Sequence, residues 1–333
     1  MTHEKKVLLS GMQPTGMLHL GNYEVLKNWV ELQNSGEYET YFTIVDWHAL
    51  TAQYEDTSQL TEQIFQVAAD YLASGLDPKK SIIFVQSQVK QHAELHLLLS
   101  MFVPIPWLER VPSYKEKSKT LGLDTYGFLG YPLLQTADII IYRAELVPVG
   151  KDQLPHLELA REIVRRFNYL YEPVFPEPQP LMSKLPYVPG TDNRKMSKSY
   201  NNYICMGESD DAIRKKVMSY YTDPTKIYRG DPGHPDTCPV FALLKIYAPE
   251  ETERIKSQCE SGDRDWGCVK CKKLLAERII ETIKPLRARR EELLADREQI
   301  RRILSEGAEK ARQKAEETMR IVRKAMKMWD GIL

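Results

Sequence analysis

The sequence predicts an α/β fold in which a parallel sheet covered by helices precedes an all-helical second part. Short β-rich apolar runs (VLLS, TYFTIVD, SIIFVQS and ELVPVG) recur between Val7 and about Tyr171, each separated from the next by one or more stretches of helical periodicity. That alternation is the mark of parallel strands joined by crossover helices. A Pro-rich segment from Pro173 to Pro189 breaks the periodicity and marks a boundary. From Asp210 onward the pattern is almost wholly helical, ending in a charged run from Lys270 to Met328.

With 333 residues the chain can bury a large core and divide into two lobes. Its 46 basic residues balance 46 acidic ones, so any nucleic-acid contact must be a local patch rather than a property of the whole surface. No apolar run approaches the roughly 20 residues of a membrane helix, and the polar stretch Met1 to Lys6 lacks a signal-peptide pattern. The 5 cysteines, odd in number and clustered late, argue for a reducing compartment, and a cytoplasmic location is expected.

The first strand, Val7 to Ser10, breaks at Gly11, Pro14 and Gly16 into a small-residue loop. A helix follows from Asn22, where Val25, Leu26, Trp29, Val30 and Leu32 recur at helical spacing. Unpaired N–H groups and the positive dipole end make such a helix start a seat for phosphate. His19 adds a donor there, and Gly21 lacks the Cβ that would keep a ligand off the backbone. An ordinary Gly-Pro turn with His19 hydrogen-bonded beneath it fits the same residues. Ligands of parallel sheets gather at the carboxyl ends of strands, so the loops after Leu9, Val45, Val85 and Val149 are expected to converge.

Between Tyr131 and Tyr142, helical spacing places Tyr131, Gln135, Asp138 and Tyr142 on one face. Asp138 sits among Ala137, Ile139, Ile140 and Ile141, a costly place for an unpartnered charge. Either it accepts hydrogen bonds from backbone or an Arg, or it awaits a donor from a ligand. Farther on, Lys195, Met196, Ser197, Lys198 and Ser199 follow a stretch rich in Pro, Gly, Asp and Asn, so both lysines ride on a loop able to close on polyphosphate. At the end, Ala311, Ala315, Met319, Val322, Met326 and Trp329 form an apolar stripe that reads as a docking face.

The stretch Pro14 to Asn22, with His19-Leu20-Gly21-Asn22, resembles the HIGH signature of class I aminoacyl-tRNA synthetases, and Lys195 to Ser199 matches their KMSKS signature letter for letter. Asn22 stands where HIGH ends in His, a substitution usual in one branch. GMQPTGMLHLGNY, FTIVDWHA, YPLLQTADIIIY, VPVGKDQLPHLELAREIVRRFN and RKMSKS together resemble that branch, the bacterial tryptophanyl-tRNA synthetases, across nearly the whole length.

The resemblance implies a Rossmann-type nucleotide-binding domain over 1–190, onto which a C-terminal helix of about 308–333 packs back. It further implies a helical anticodon-binding domain over 191–307 and a homodimer. It also implies activation of L-tryptophan with ATP and Mg²⁺, followed by transfer to tRNA(Trp). Gln13, Pro14, Thr15, Gly21 and Asn22 would cradle the nucleotide, with His19 steadying its phosphates. Lys195 and Lys198, with Met196, Ser197 and Ser199 around them, would draw charge from the leaving pyrophosphate.

Gly150, Lys151 and Asp152 would grip the ribose and base, although Asp152 could equally cap a helix. Leu181 would border the adenine. Lys117 would meet phosphate, or simply be solvated. The tryptophan slot would be walled by Leu9, Met12, His48, Tyr131, Gln135, Val147 and Val149, with Gln153 toward the amino acid and Asp138 reading the indole N–H. For most wall positions plain core packing is the competing reading. Tyrosyl-tRNA synthetase, or a non-catalytic paralogue binding tryptophan or RNA, are the rival assignments. Leu9 and Met12 offer no hydroxyl partner where the tyrosine enzyme places a tyrosine.

Cys238, Cys259, Cys268 and Cys271 form C-x20-C-x8-C-x2-C in the helical part. Four thiols ending in CxxC suggest a tetrahedral zinc site or a [4Fe–4S] cluster, and a subset of the family carries such a cluster. Four unlinked thiols would be the plain alternative. Arg278, Lys284, Arg287, Arg289 and Arg290 could meet tRNA phosphates, or form a solvated helix face among glutamates.

Overall fold

The computed structural model describes residues 5–182, 187–228 and 230–329, so the last four residues of the expected C-terminal helix, 330–333, lie outside the described part. The first lobe runs β1 (Lys6–Met12), α1 (Leu20–Ser35), β2 (Tyr38–Ile44), α2 (Asp46–Gln53), α3 (Leu60–Ala73), β3 (Ser81–Val85), α4 (Gln91–Ser100) and α5 (Ile105–Glu109). It continues with α6 (Pro112–Leu121), α7 (Tyr126–Ile140), β4 (Leu146–Val149), α8 (Leu154–Leu170) and β5 (Gln179–Met182). The second lobe is helical: α9 (Asp210–Met218), α10 (Pro239–Tyr247), α11 (Thr252–Glu260) and the first half of α12 (Cys268–Ala295). A last helix, α13 (Arg297–Ala325), returns to the sheet.

The strands pair in parallel in the order β3-β2-β1-β4-β5. Both faces are covered, which is why the strands read as unbroken apolar runs. On one face Leu8, Phe42, Ile44 and Ile83 meet Leu26 and Trp29 of α1 and Phe65 and Tyr71 of α3. On the other, Leu9, Tyr41, Phe84 and Val149 meet residues of α4, α7 and α8. Burial of each large apolar side chain contributes about 1.5–3 kcal/mol, and the Trp29 ring also stacks on Phe42 with centroids 4.7 Å apart.

The Pro-rich segment holds a strand that the sequence pattern does not announce. β5 contains Pro180 yet pairs with β4 from Gln179 to Met182. It is the outermost strand, where a missing N–H costs no ladder bond on the solvent side.

In α13, Ile300 and Leu304 belong to one core, whereas Ala308, Ala311, Ala315, Met319 and Val322 belong to the other. The helix therefore crosses the outer edge of β3 and joins the two faces. Gly307 marks the crossing: a Cβ built on it would lie 1.9 Å from the Ile83 carbonyl oxygen. Trp329, included in the apolar stripe by its spacing, lies beyond the helix end and is exposed.

Candidate active site

His19 is the N-cap of α1, which therefore starts at Leu20 rather than Asn22. Its Nδ1 accepts the Asn22 N–H at 3.3 Å, and the Asn22 Oδ1 accepts the His19 N–H at 3.2 Å. This reciprocal capping box satisfies two donors at the helix start. With Nδ1 an acceptor, the ring proton falls on Nε2, which is left as a donor. Burial, with the charges of Lys198 and Lys195, lowers His19 to about 4, so it is neutral near pH 7. The role expected for Gly21 changes: a Cβ there would come 3.0 Å from the His19 ring, so the glycine makes room for the imidazole.

The distant lysine loop closes on this helix start. Lys198 Nζ donates to the Thr15 carbonyl at 2.8 Å and lies 3.4 Å from Thr15 Oγ1. Gly16, at φ 88°, gives the intervening turn a left-handed residue that a side chain would strain. Lys195 Nζ stands 3.5 Å from Asp152 Oδ2 on the turn after β4. That pair is exposed and worth little in stability, but it fixes which loops face one another. Burial raises the Asp152 carboxyl, yet Lys195 and the Gln153 amide hold it below the usual carboxylate range.

The chain leaving the lysine loop is stitched to the helix start, with Leu20 N–H on the Ile204 carbonyl (3.0 Å) and Met206 N–H on the Leu18 carbonyl (2.9 Å). Met196 turns its side chain into the helical lobe's core, leaving only its backbone toward the cleft. Gln13 is exposed, Pro14 buried, and Ser197 caps the short turn at Lys198–Tyr200 by accepting the Ser199 N–H. Gly150 and Lys151 lie on the turn after β4, and Leu181 is half-buried on β5.

Asp138 is wholly partnered, though not by backbone or Arg. Gln86 Nε2 donates to Oδ1 at 2.7 Å and to Oδ2 at 2.9 Å. His92 Nδ1 lies 2.7 Å from Oδ1, and His48 Nε2 lies 2.8 Å from Oδ2. Burial pushes this carboxyl up, but the two histidines overcome that and hold it far below the usual range. These four contacts fill the roughly four acceptor positions of an ionised carboxylate, so a further donor must share or displace one of them.

Tyr142 lies beyond the end of α7, and its hydroxyl meets His92 Nε2 at 2.7 Å. Burial and Asp138 keep that phenol protonated, so it donates and leaves the His92 Nδ1 proton for Asp138. Tyr131 belongs to a separate group, 2.6 Å from Ser113 Oγ and 3.2 Å from His156 Nε2. The single face expected from spacing thus resolves into two networks.

Gln86, His92, Ser113 and His156 escape a sequence reading. Gln86 had a signal, since it directly follows Val85 at the carboxyl end of β3. Leu9, Val147 and Val149 are buried core residues bordering this region, and Met12, Gln135 and Gln153 are half-buried. Lys117 is exposed on α6, near enough for its charge, after burial, to help lower His156 to about 4.

The four late cysteines line one cleft in the helical lobe, together with Trp266, Gly233 and Lys272. Trp266 Nε1 donates to Cys271 Sγ at 3.0 Å. Burial, against that bond, pushes the Cys271 thiol up to about 11, with the neighbouring cysteines adding to the rise. No three His, Cys, Asp or Glu side chains among the described residues are disposed to hold a single metal ion.

The basic residues of α12 are largely engaged within the chain. Arg278 pairs with Glu250 and Glu281, Arg287 with Asp210, and Arg289 with Glu292. Arg290 is buried against Asp70 and so is removed from the candidate RNA contacts.

A parallel sheet with a capped helix start, closed by a lysine loop from a helical lobe, defines a nucleotide-binding synthetase. Residues 1–284 match the model of the family described as tRNA synthetases class I (W and Y), and the chain belongs to that family. Within it the chain belongs to the tryptophan–tRNA ligases. It is 47% identical to the tryptophan–tRNA ligase of Thermotoga maritima, with 96% of this chain and 99% of the relative covered. It is 42% identical to that of Aquifex aeolicus, again with 96% and 99% covered. The crystal structure of tryptophanyl-tRNA synthetase from Campylobacter jejuni complexed with ADP and tryptophan superposes with a TM-score of 0.86 at 34% identity, covering 97% of this chain and 100% of that one.

Proposed function

We infer that the cleft between Thr15, Lys198 and Asp152 binds MgATP, and that the slot ending at Asp138 binds L-tryptophan. The protein is a tryptophan–tRNA ligase, which forms tryptophanyl-adenylate and pyrophosphate and then charges tRNA(Trp). One observation carries the assignment of its site: Lys198 lies against Thr15, so the two phosphate-directed segments share one cleft.

The tryptophan carboxylate oxygen attacks the α-phosphorus of ATP, and the bond to the bridging oxygen breaks to release pyrophosphate. No protein nucleophile is needed, so rate comes from alignment and from neutralising charge that moves onto the leaving group. Neutral His19 presents its Nε2 proton to phosphate, the N-terminal amides of α1 add their dipole, and Lys195 and Lys198 take the pyrophosphate charge. Magnesium arrives with the nucleotide as part of the substrate. Pyrophosphate exchange supported by tryptophan but not tyrosine is the expected result. Exchange with tyrosine alone would overturn the amino-acid assignment, and no exchange at all would favour a non-catalytic paralogue.

Residues 1–190 with the returning helix form the catalytic domain in this reading, and 191–307 the tRNA anticodon-binding domain. Exposed Leu97 on α4, Met101 just past its end and Ile105 on α5 offer apolar side chains for a homodimer contact. Among the described residues no helix is long and apolar enough to cross a membrane. The bacterial tryptophan–tRNA ligases this chain resembles support a cytoplasmic setting.

The donor chemistry around the cysteine cleft fits a [4Fe–4S] cluster held by Cys238, Cys259, Cys268 and Cys271. What supports this reading is that all four cysteines line one space and that Trp266 supplies a hydrogen bond to one sulfur. The group would anchor the lobe, and the activation chemistry does not pass through it. Anaerobically purified protein is expected to show broad visible iron–sulfur absorbance that is lost on oxidation of the cluster. Bound zinc, or active folded protein without metal, would overturn this assignment.

A further inference from the structure

We propose that Arg290 and Asp70 are positioning residues for the phosphate-binding helix start, through which α12 of the helical lobe fixes the peptide just before His19. The proposal rests on the reading that His19 and Lys198 hold the ATP phosphates.

Asp70 is fully buried on α3, and its two oxygens face in different directions. Oδ1 accepts Arg290 Nε at 2.7 Å, and Oδ2 accepts the backbone N–H of Leu18 at 2.9 Å. Arg290 also bonds Gln66 on α3. Gly207 keeps this node open, since a Cβ there would lie 2.5 Å from Met17 Sδ and 3.4 Å from Arg290 Nη1.

Leu18 is the residue immediately before the N-cap. Its carbonyl is held by Met206 N–H, while Leu20 N–H is held by Ile204, both on the chain that leaves the lysine loop. The segment Leu18–Leu20 is therefore gripped on one side by the lysine-loop chain and on the other by Asp70. Burial lifts the Asp70 carboxyl to about 6, opposed by Arg290, the Leu18 amide and the Lys198 charge, so it is ionised near pH 7.

The first half of α12 lies in the helical lobe's own core through Leu275, Ile279 and Ile283. Its last turns carry Arg290 to α3, so one continuous helix of 28 residues, about 42 Å long, connects that lobe to Leu18. A buried charge left without its partner is costly. Any shift that withdraws Arg290 therefore releases Asp70, and with it the peptide that aims the His19 ring.

The test is steady-state pyrophosphate exchange on the full-length protein, with Arg290→Met, Asp70→Asn and the double variant. Each single change is expected to raise KM for ATP about tenfold and leave KM for tryptophan within about twofold. The double variant is expected to be no worse than the poorer single one. Arg290→Lys, which keeps the charge without the fork, should recover part of the loss.

Thermal unfolding and tryptophan binding, followed on the same samples, separate this from general loss of structure. Equal damage to both KM values, or additive losses in the double variant, would overturn the proposal. If Arg290→Met unfolds the protein, the Arg290→Lys and Asp70→Asn comparison still decides it. His19→Ala serves as the reference. An unchanged KM for ATP in that variant would refute the reading of the phosphate site, whereas an impaired His19→Ala beside an unimpaired Arg290→Met would refute only the coupling.

Discussion

Asp138→Ala is expected to lower kcat/KM for tryptophan about a thousandfold while KM for ATP changes less than about threefold. Two losses combine. The indole N–H loses its only charged acceptor in the slot, and the Gln86, His48 and His92 donors that now converge on the carboxylate are left unpaired in a dry site. Phenylalanine, which carries no donor, would be rejected by the native site because it gains no bond to Asp138. Asp138→Asn is expected to recover little, because its amide nitrogen would face a histidine or glutamine N–H. Tryptophan-dependent exchange at varied ATP separates the two substrates, and activation unchanged by Asp138→Ala would remove this residue from recognition.

Gly307→Ala is expected to destabilise the fold by about 3 kcal/mol, although alanine is the better helix former by about 1 kcal/mol. The sign follows from what the new methyl would strike. Ile83 presents its carbonyl oxygen 1.9 Å away and its carbonyl carbon 2.7 Å away, and neither can rotate aside as a side-chain tip could. The helix must lift from β3, loosening the seats of Leu304 and Ala308 on opposite faces of the sheet. Urea unfolding measures the change. A stabilised Gly307→Ala variant would show that the helix is not seated on the strand.

Much of the architecture is legible because it depends on local patterns. The four strands Val7, Thr40, Ser81 and Leu146 begin or continue show themselves as apolar runs because both sheet faces are buried. Their carboxyl ends bring the loops after Val45 and Val85 together, where Gln86 accepts the Trp47 N–H and Asp46 accepts the Ser87 N–H. The lysine loop and the helix start meet as their chemistry suggests, although nothing in spacing says that Lys198 rather than Lys195 rests on Thr15.

What stays hidden depends on distant partners. Pro180 reads as a breaker, yet the outermost position of β5 removes the penalty. Tyr142 continues a helical spacing past the point where the helix has ended. Arg290 looks like its solvated neighbours, and only the folded chain, bringing it 220 residues back to Asp70, shows it to be buried. The glycine in Glu306-Gly307-Ala308 looks like a flaw in a helix until the strand beneath it is known.

The seating of α13 on β3 also bears on how the protein is made. β3 is the outer strand of the sheet on that side, and the segment that covers it is the last long helix of the chain. During synthesis the sheet can assemble well before its cover emerges, so the nascent chain carries an uncapped strand edge for the time taken to translate the whole helical lobe. Termination between Ser199 and Arg297 would make that transient exposure permanent, yielding fragments that hold every residue proposed here to contact ATP or tryptophan and yet stick to one another.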